Sequence, residues 1–341
     1  CIRDRFYVKN GFKNQYLTRF TRNTSKSIRD LDYSPKTIVI HETYRTHRGP
    51  VSEMLYQHAV ARCITIYDMI PLLFPHLFAT GISEEFKSFI SSLGTNDTVV
   101  AISGTTKRDF CLLSNIDESD VFVTPLAVDS RFMLLDESEY NQAARKLMAK
   151  HGLSDSKFIL SIATLEPRKN ISSLISAFAA TADTIDPRIK LVLTGEPGWE
   201  KVDLRKLVNS HGLTSRVVFT GYLEDEILPV LLNEASIFCY LSLYEGFGMP
   251  VLEAMSCGCP VITSNNSSLG EFFGGIASCV DPTNISEISI NMHKILSDKM
   301  YAYKLRDAGL NYASKFNAAN LAEHTIKAYQ HAANVHGTVS K

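Results

Sequence analysis

The chain has 341 residues, 45% of them hydrophobic and 21% charged, which suits a soluble globular protein with real cores and two α/β domains. No run approaches the roughly 18 consecutive apolar residues of a membrane-spanning helix, and the opening Cys1-Ile2-Arg3-Asp4-Arg5 has nothing like a signal peptide. The formal net charge of −1 hides an uneven spread, because residues 1–50 carry eleven Lys/Arg against four Asp/Glu. A solvated basic lead-in is the plain reading of that segment. Attraction to an anionic membrane surface or acceptor is the sharper one, and no aromatic interleaving supports nucleic acid. Without an initiator Met, the chain reads as a fragment, a processed product or a domain of a longer multidomain protein. Its seven cysteines, at positions 1, 63, 111, 239, 257, 259 and 279, have no framework spacing, which predicts reduced thiols in a cytoplasmic compartment and no metal site.

In chain order, residues 37–41 and 63–67 read as strands, 83–93 as a helix, 98–103 as a strand, 107–113 as a helix and 121–123 as a strand. A helical stretch at 137–151 spans the predicted boundary between a domain of residues 1–150 and one of residues 151–335. From residue 158 the pattern is regular. Apolar strands fall at 158–163, 190–194, 217–220, 237–241 and 260–263, with helices between them, the first carrying the period of Ile171, Leu174, Ile175 and Phe178. Strands alternating with helices predict a parallel sheet covered on both faces, which binds its ligand at the carboxyl ends of the strands.

The most informative stretch is Tyr244-Glu245-Gly246-Phe247-Gly248-Met249-Pro250-Val251-Leu252-Glu253-Ala254-Met255-Ser256-Cys257-Gly258. It follows an apolar strand, and its two loop glycines let the backbone approach a ligand closely. Pro250 suits the first helical position and Gly258 the residue just past the end. The start of such a helix favours an anion such as a diphosphate. Glu245 stands before the helix and Glu253 reads into its first turn, so one carboxylate could meet a sugar and the other chelate ribose hydroxyls. An αβ loop with two solvated glutamates would account for any one of these residues, but the combination is hard to reach by chance.

The segment from Glu245 to Ala254 resembles the two-glutamate, seven-spacer signature of the retaining GT-B glycosyltransferases, the glycogen-synthase-like and bacterial mannosyltransferase group known as glycosyltransferase family 4-like. That resemblance covers residues 158–335 well and implies an α/β GT-B fold. Two Rossmann-like domains would face each other across a cleft, the first on the acceptor side and the second binding the donor. Ser161-Ile162-Ala163-Thr164-Leu165-Glu166-Pro167-Arg168-Lys169-Asn170 resembles the family's basic loop after the first strand of the donor domain, which implies that Arg168 and Lys169 hold the donor diphosphate. Two fixed cations there stabilise the charge that grows as the glycosidic bond breaks. Phe219-Thr220-Gly221-Tyr222-Leu223 is similar to the turn beside the nucleobase, with Asp225 opening the next helix. Tyr222 and Leu223 contact the base or simply pack against the sheet. Gly195 matches the glycine after the second strand, or is a plain turn. The donor-binding set thus implied is Arg168, Lys169, Gly195, Tyr222, Leu223, Glu245, Gly246, Phe247, Gly248, Met249, Pro250, Leu252 and Glu253. Ser267-Ser268-Leu269-Gly270-Glu271 follows the family pattern without a specific role.

Upstream, Thr65-Ile66-Tyr67-Asp68-Met69-Ile70-Pro71-Leu72 resembles the family's strand-end segment that often reads His-Asp. Asp68 matches and joins Glu245, Arg168 and Lys169 as a catalytic candidate. Tyr67 stands where a histidine is common, and His41 is either its substitute or a structural strand-end residue. The family's opening strand and Gly-rich loop have no good counterpart, Asn10-Gly11-Phe12 being a poor match, so the N-terminal domain is expected to lack them.

The resemblance implies retention of configuration without a metal or a cofactor other than the nucleotide-sugar donor. The departing diphosphate would take the acceptor proton on the same face, with Glu245 orienting sugar hydroxyls. GDP-mannose is the first choice of donor and a glycan or lipid-linked glycan the acceptor, in polysaccharide biosynthesis at the cytoplasmic face of a membrane. A UDP-hexose donor, a nucleotide-sugar epimerase of the same fold and a non-catalytic module of a larger polysaccharide-assembly enzyme are the competing readings. An NAD dehydrogenase is disfavoured, since no Gly-x-Gly-x-x-Gly follows a strand.

Overall fold

The computed structural model describes residues 39–43, 61–78, 81–95, 97–154, 157–198 and 203–339. Most of the basic lead-in, with Asn10-Gly11-Phe12 and the first two residues of the earliest predicted strand, therefore lies outside the described residues.

The first sheet is parallel, with strands β1 (Val39–Thr43), β2 (Ala61–Ile66), β3 (Asp97–Ala101) and β4 (Val121–Val123) in that spatial order. The short α1 (Ile70–Leu73), α2 (Ile82–Ser91) and α3 (Gly104–Leu113) lie between its strands, and α4 (Gln142–His151) follows it. The apolar side of α2 explains its place: Phe86, Phe89 and Ile90 bury against Ile64 and Ile66 of β2 and Val99 and Ala101 of β3. Ser103 caps α3 by accepting from the Thr106 N–H at 2.9 Å.

The second sheet is also parallel, in the order β10-β9-β8-β5-β6-β7. Its strands are β5 (Phe158–Ile162), β6 (Lys190–Thr194), β7 (Val217–Gly221), β8 (Ile237–Tyr240), β9 (Val261–Ser264) and β10 (Ser278–Val280). The intervening helices are α5 (Ile171–Thr181), α6 (Leu204–Ser210), α7 (Leu228–Glu234), α8 (Met249–Ser256) and α9 (Ser267–Phe273), and α10 (Ile285–Ser297), α11 (Lys299–Ala313) and α12 (Ala318–Val339) follow. Strand side chains alternate between two cores. Phe158, Leu160, Phe238 and Tyr240 join Val230 and Leu231 of α7 and Val251, Leu252 and Met255 of α8 on one face. Ile159, Ile237 and Cys239 join Ile171, Leu174 and Phe178 of α5 and Ile288 and Met292 of α10 on the other. A sheet buried on both faces is what the near-continuous apolar runs require. Sequential connection runs outward from β5 in one direction and resumes at β8 in the other. The β5 and β8 loops therefore part at their carboxyl ends and leave a crevice between them.

β10 adds a strand beyond those predicted, because three residues with Ser278 and Cys279 carry little periodicity. Two expectations change. Asp225 does not open a helix: α7 starts at Leu228, three residues later. The predicted second domain of residues 151–335 also crosses lobes. α12 returns to the first sheet, where Ala328 packs with Cys63 and Val100 and the His331 Nε2 meets Asp120 Oδ1 at 2.7 Å. Its small buried residues, Ala328 and Ala332, give a flat helix face whose period does not say which sheet it will cover.

Candidate active site

The loop after β5 makes a 3-10 turn, Pro167–Lys169, that ends at Asn170 in the left-handed region with φ of 55°. Asparagine is one of the few residues other than glycine that enters that region readily, and the Asn170 Nδ2 fixes the turn to the loop after β10 by donating to Pro282 O at 2.7 Å. The turn aims two cations across the switch point at the loop after β8. Arg168 Nη1 lies 2.8 Å from Glu245 Oε1 and donates to Tyr244 O at 2.9 Å, while its Nη2 donates to Glu166 Oε1 at 2.7 Å. Lys169 Nζ bonds the same Glu245 oxygen and donates to the Tyr240 hydroxyl at 2.7 Å. Tyr240 in turn donates to Glu245 Oε1 at 3.0 Å. The backbones are joined too, with Leu243 N–H donating to Arg168 O at 2.8 Å.

Burial alone would push the Glu245 carboxyl up, but the Lys169 and Arg168 charges outweigh it and hold the group below the usual carboxylate range. Burial lowers Lys169, and the Tyr240 and Glu245 side chains more than offset it, leaving the ammonium raised. Charge is thus locked on both sides of the crevice. A small cavity opens beside the turn, lined by Leu77, Phe78, Glu166, Pro167 and Arg168.

Asp68 reaches this cluster from the first sheet, at the end of β2, where its Oδ1 accepts from the Ile70 N–H at 2.9 Å. Burial raises its pKa, with Arg168 and Lys169 opposing and Glu245 reinforcing the shift. Gly246 makes this approach possible, since a Cβ there would sit 2.1 Å from Tyr67 O and 2.8 Å from the Asp68 Cβ. Thr106 of α3 spans the same junction, its hydroxyl lying 3.3 Å from both Tyr67 O and Gly246 O. His41, the alternative to Tyr67, is engaged elsewhere: its Nδ1 meets the Tyr329 hydroxyl at 2.6 Å and its Nε2 the Thr65 hydroxyl at 2.5 Å.

Gly248 precedes α8, Met249 is its first residue and Pro250 its second. Glu253 is the fifth residue, so it belongs to the second turn and not the first. It does not join Arg168 and Lys169. Its charged neighbours are Arg131, Asp129 and Asp225, and burial raises its pKa to about 7, with Arg131 opposing. Arg131 holds that second group together, 2.9 Å from Asp129 and 3.4 Å from Asp225.

The remaining predicted residues divide by burial. Gly195 closes the end of β6, its N–H donating to Gly221 O at 3.0 Å. Tyr222 is 60% exposed past β7, and its N–H donates to Glu196 Oε1 at 3.3 Å. Leu223 is placed differently from a base contact: it is buried with Ile227 and Val230 in the core, because the turn after β7 carries it under α7. Phe247 and Leu252 are also core residues, Phe247 packing 4.7 Å from the Phe272 ring, so only their backbones can meet a ligand. Met249 packs partly against the same core.

Residues 144–316 match the model of the family described as Glycosyl transferases group 1. The chain belongs to this family. This group 1 glycosyl transferase is 34% identical over 244 residues to the O-antigen chain mannosyltransferase B of Escherichia coli, covering 72% of the chain and 63% of that protein. It is 33% identical over 267 residues to the serotype-specific mannosyltransferase WbdA of the same organism, covering 77% of the chain and 32% of WbdA. The chain thus spans under two thirds of the one relative and about a third of the other. Among solved structures, Anabaena Alr3699/HepE in complex with UDP and glucose superposes with a TM-score of 0.71 at 19% identity, over 86% of this chain and 77% of that one. The two parallel sheets of this group 1 glycosyl transferase have the GT-B architecture.

Sequence reasoning passed over several polar residues of the site. Tyr240 was read only as part of an apolar strand, although a tyrosine inside a buried strand needs a partner for its hydroxyl and so signals a polar site nearby. Ser267 and Ser268 fasten the Glu245 backbone, one accepting from its N–H at 3.1 Å and the other donating to its carbonyl at 2.8 Å. Tyr244 donates to Asp109 Oδ2 across the junction at 2.5 Å.

Proposed function

We propose that this chain is a retaining, metal-independent mannosyltransferase that moves mannose from GDP-mannose to a glycan or lipid-linked glycan in polysaccharide assembly. The observation that carries this reading is the convergence of Arg168 and Lys169 on Glu245 at the switch point, in a chain similar to two mannosyltransferases. Arg168 and Lys169 hold the donor diphosphate and stabilise it as it leaves, which supplies the positive charge a divalent cation would otherwise bring. Lys169 has three N–H donors, of which Tyr240 and Glu245 use two, so a phosphate oxygen can take the third. Glu245, kept ionised by its two cations, accepts from sugar hydroxyls, and Asp68 adds a polar contact from the first sheet. Glu253 meets the ribose, and exposed Tyr222 lies beside the base. The leaving diphosphate takes the proton of the acceptor hydroxyl, and Leu77 and Phe78 give the acceptor ring an apolar floor beside Glu166 and Arg168. Residues 1–50, with eleven cations, dock at the anionic cytoplasmic face of a membrane, where a lipid-linked acceptor resides. Among the described residues no helix is long and apolar enough to cross a membrane.

The test is transfer from GDP-mannose to a mannose-terminated acceptor, with and without EDTA, and the anomeric configuration of the product read by NMR. An α-linked product formed equally well in EDTA is expected; a β-linked product would remove retention, and loss of turnover in EDTA would remove metal independence. A UDP-hexose is the second reading of the donor, favoured by the UDP and glucose bound to the superposable HepE structure. A UDP-glucose preference in the same assay would select it.

A further inference from the structure

The contact between α9 and α3 lies outside the charged cluster, yet it joins the elements that hold that cluster. Glu271, on α9, crosses from the second sheet's lobe to the start of α3 in the first. Its Oε1 accepts from the Gly104 N–H at 2.8 Å, and its Oε2 from the Thr105 N–H at 2.6 Å and the Thr105 hydroxyl at 2.8 Å. Those N–H groups are among the ones a helix start leaves without an internal partner, and a carboxylate there also meets the positive end of the helix dipole. Gly104 is fitted to this contact. A Cβ at that position would lie 2.9 Å from Glu271 Oε1.

From the two ends of this contact, short chains of bonds lead to the site. On one side Thr106, the next residue of α3, holds Tyr67 O and Gly246 O, beside Asp68 and Glu245. On the other side Ser267 and Ser268, at the start of α9, hold the Glu245 backbone. Asp109, one turn further along α3, takes the Tyr244 hydroxyl. The relative position of Asp68 and Glu245 therefore depends on how firmly α3 is held against α9.

We infer that Glu271 is a positioning residue, whose carboxylate caps α3 across the lobes and holds the first sheet in the place where Asp68 faces Glu245, Arg168 and Lys169. This inference rests on reading that cluster as the transfer site, but the contact itself can be tested without it. The Glu271 carboxylate bonds Gly104 and Thr105 and not Arg168, Lys169, Asp68 or Glu245. In the proposed site the described residues that hold the donor diphosphate, Arg168 and Lys169, belong to the second lobe, so losing the contact is expected to affect turnover and not nucleotide affinity.

The experiment compares wild type with Glu271→Ala, Glu271→Gln and Gly104→Ala. It measures kcat for transfer from GDP-mannose, the Kd for GDP by calorimetry, and the radius of gyration by small-angle scattering without ligand. Glu271→Ala is expected to lower kcat by about tenfold, the factor that accompanies loss of roughly 1.4 kcal/mol of alignment, with the GDP Kd within about twofold of wild type and a larger radius of gyration. Glu271→Gln, which keeps an acceptor oxygen but loses the charge, falls between wild type and Ala. Gly104→Ala, which crowds the carboxylate without removing it, moves in the same direction as Ala. Unchanged kcat and an unchanged radius in Glu271→Ala overturn the inference. So does a parallel loss of kcat and GDP affinity, which marks general unfolding. If wild type transfers nothing from any donor, the proposed function fails while the scattering comparison still decides whether Glu271 holds the lobes together.

Discussion

Arg168 and Lys169 share one oxygen of Glu245, and Arg168 also pairs with Glu166, so two cations and two carboxylates balance one another inside a largely desolvated crevice. Desolvation makes each charge costly alone and each interaction strong, so truncation of either cation leaves Glu245 under-compensated. Lys169→Ala is expected to lower kcat/KM by about 100-fold or more, the scale of losing one preorganised charge donor at a leaving oxyanion. Steady-state kinetics with GDP-mannose measure it, and wild-type turnover in the variant would remove Lys169 from the reaction. Glu253 gives a prediction with a sign. Its folded pKa is raised to about 7 from an ordinary 4.5, so the folded state binds the extra proton between those values. Its ionisation is therefore a penalty that is absent below about 4.5, grows as pH rises and is complete above about 7. Glu253→Gln should melt above wild type at pH 8, by up to about 3 kcal/mol in stability, and near wild type at pH 5. Thermal unfolding of both proteins at the two pH values checks this, and an equal offset at both would show that Glu253 is not buried as an acid. At this scale the charged residues were legible, because Arg168, Lys169 and Glu245 each follow a recognisable strand. Tyr240 and Glu271 were not, because their partners depend on which strands and helices become neighbours.

Loops carry the candidate site, and two of them meet where the lobes touch. Gly246 of the β8–α8 loop lies against the Tyr67 carbonyl of the β2–α1 loop, and backbone on backbone offers no flexible end to give way. Gly246→Ala should therefore force the loops apart, costing about 1–3 kcal/mol of stability as overpacking does, with a loss of kcat. Denaturant midpoints and kinetics measured together test it; full activity would mean that the junction can widen freely. Except for β10, the strands were legible to within a few residues, since burial on both faces of a sheet leaves continuous apolar runs such as Ile237–Tyr240. Boundaries were less so. Pro250 suggested the first helical position but occupies the second, and this one-residue shift, with Glu253 four residues into the helix, moved that carboxylate out of the first turn. Leu223 was open to two readings from sequence, and only the position of α7 over the sheet decides between them.

For the whole molecule, alternation of strand and helix predicted parallel sheets, but not the order β10-β9-β8-β5-β6-β7 that brings the β5 and β8 loops together. That order depends on where each crossover returns, which local pattern does not encode. Nor did pattern reveal that α12 closes the first sheet. Removing residues 318–341 should uncover Cys63 and Val100 on that sheet and leave Asp120 without His331. Hydrogen exchange should then speed up across β2 and β3 while β5 and β8 keep their protection; equal protection in the shortened chain would show that α12 is dispensable there. The same strap has a consequence during synthesis. Small lobes commonly fold as they emerge, the earlier before the later. Here the lobe of the first sheet cannot cover its outer face until residues 318–339 have left the ribosome, so it waits, half-clothed, for a segment made only after the whole second sheet.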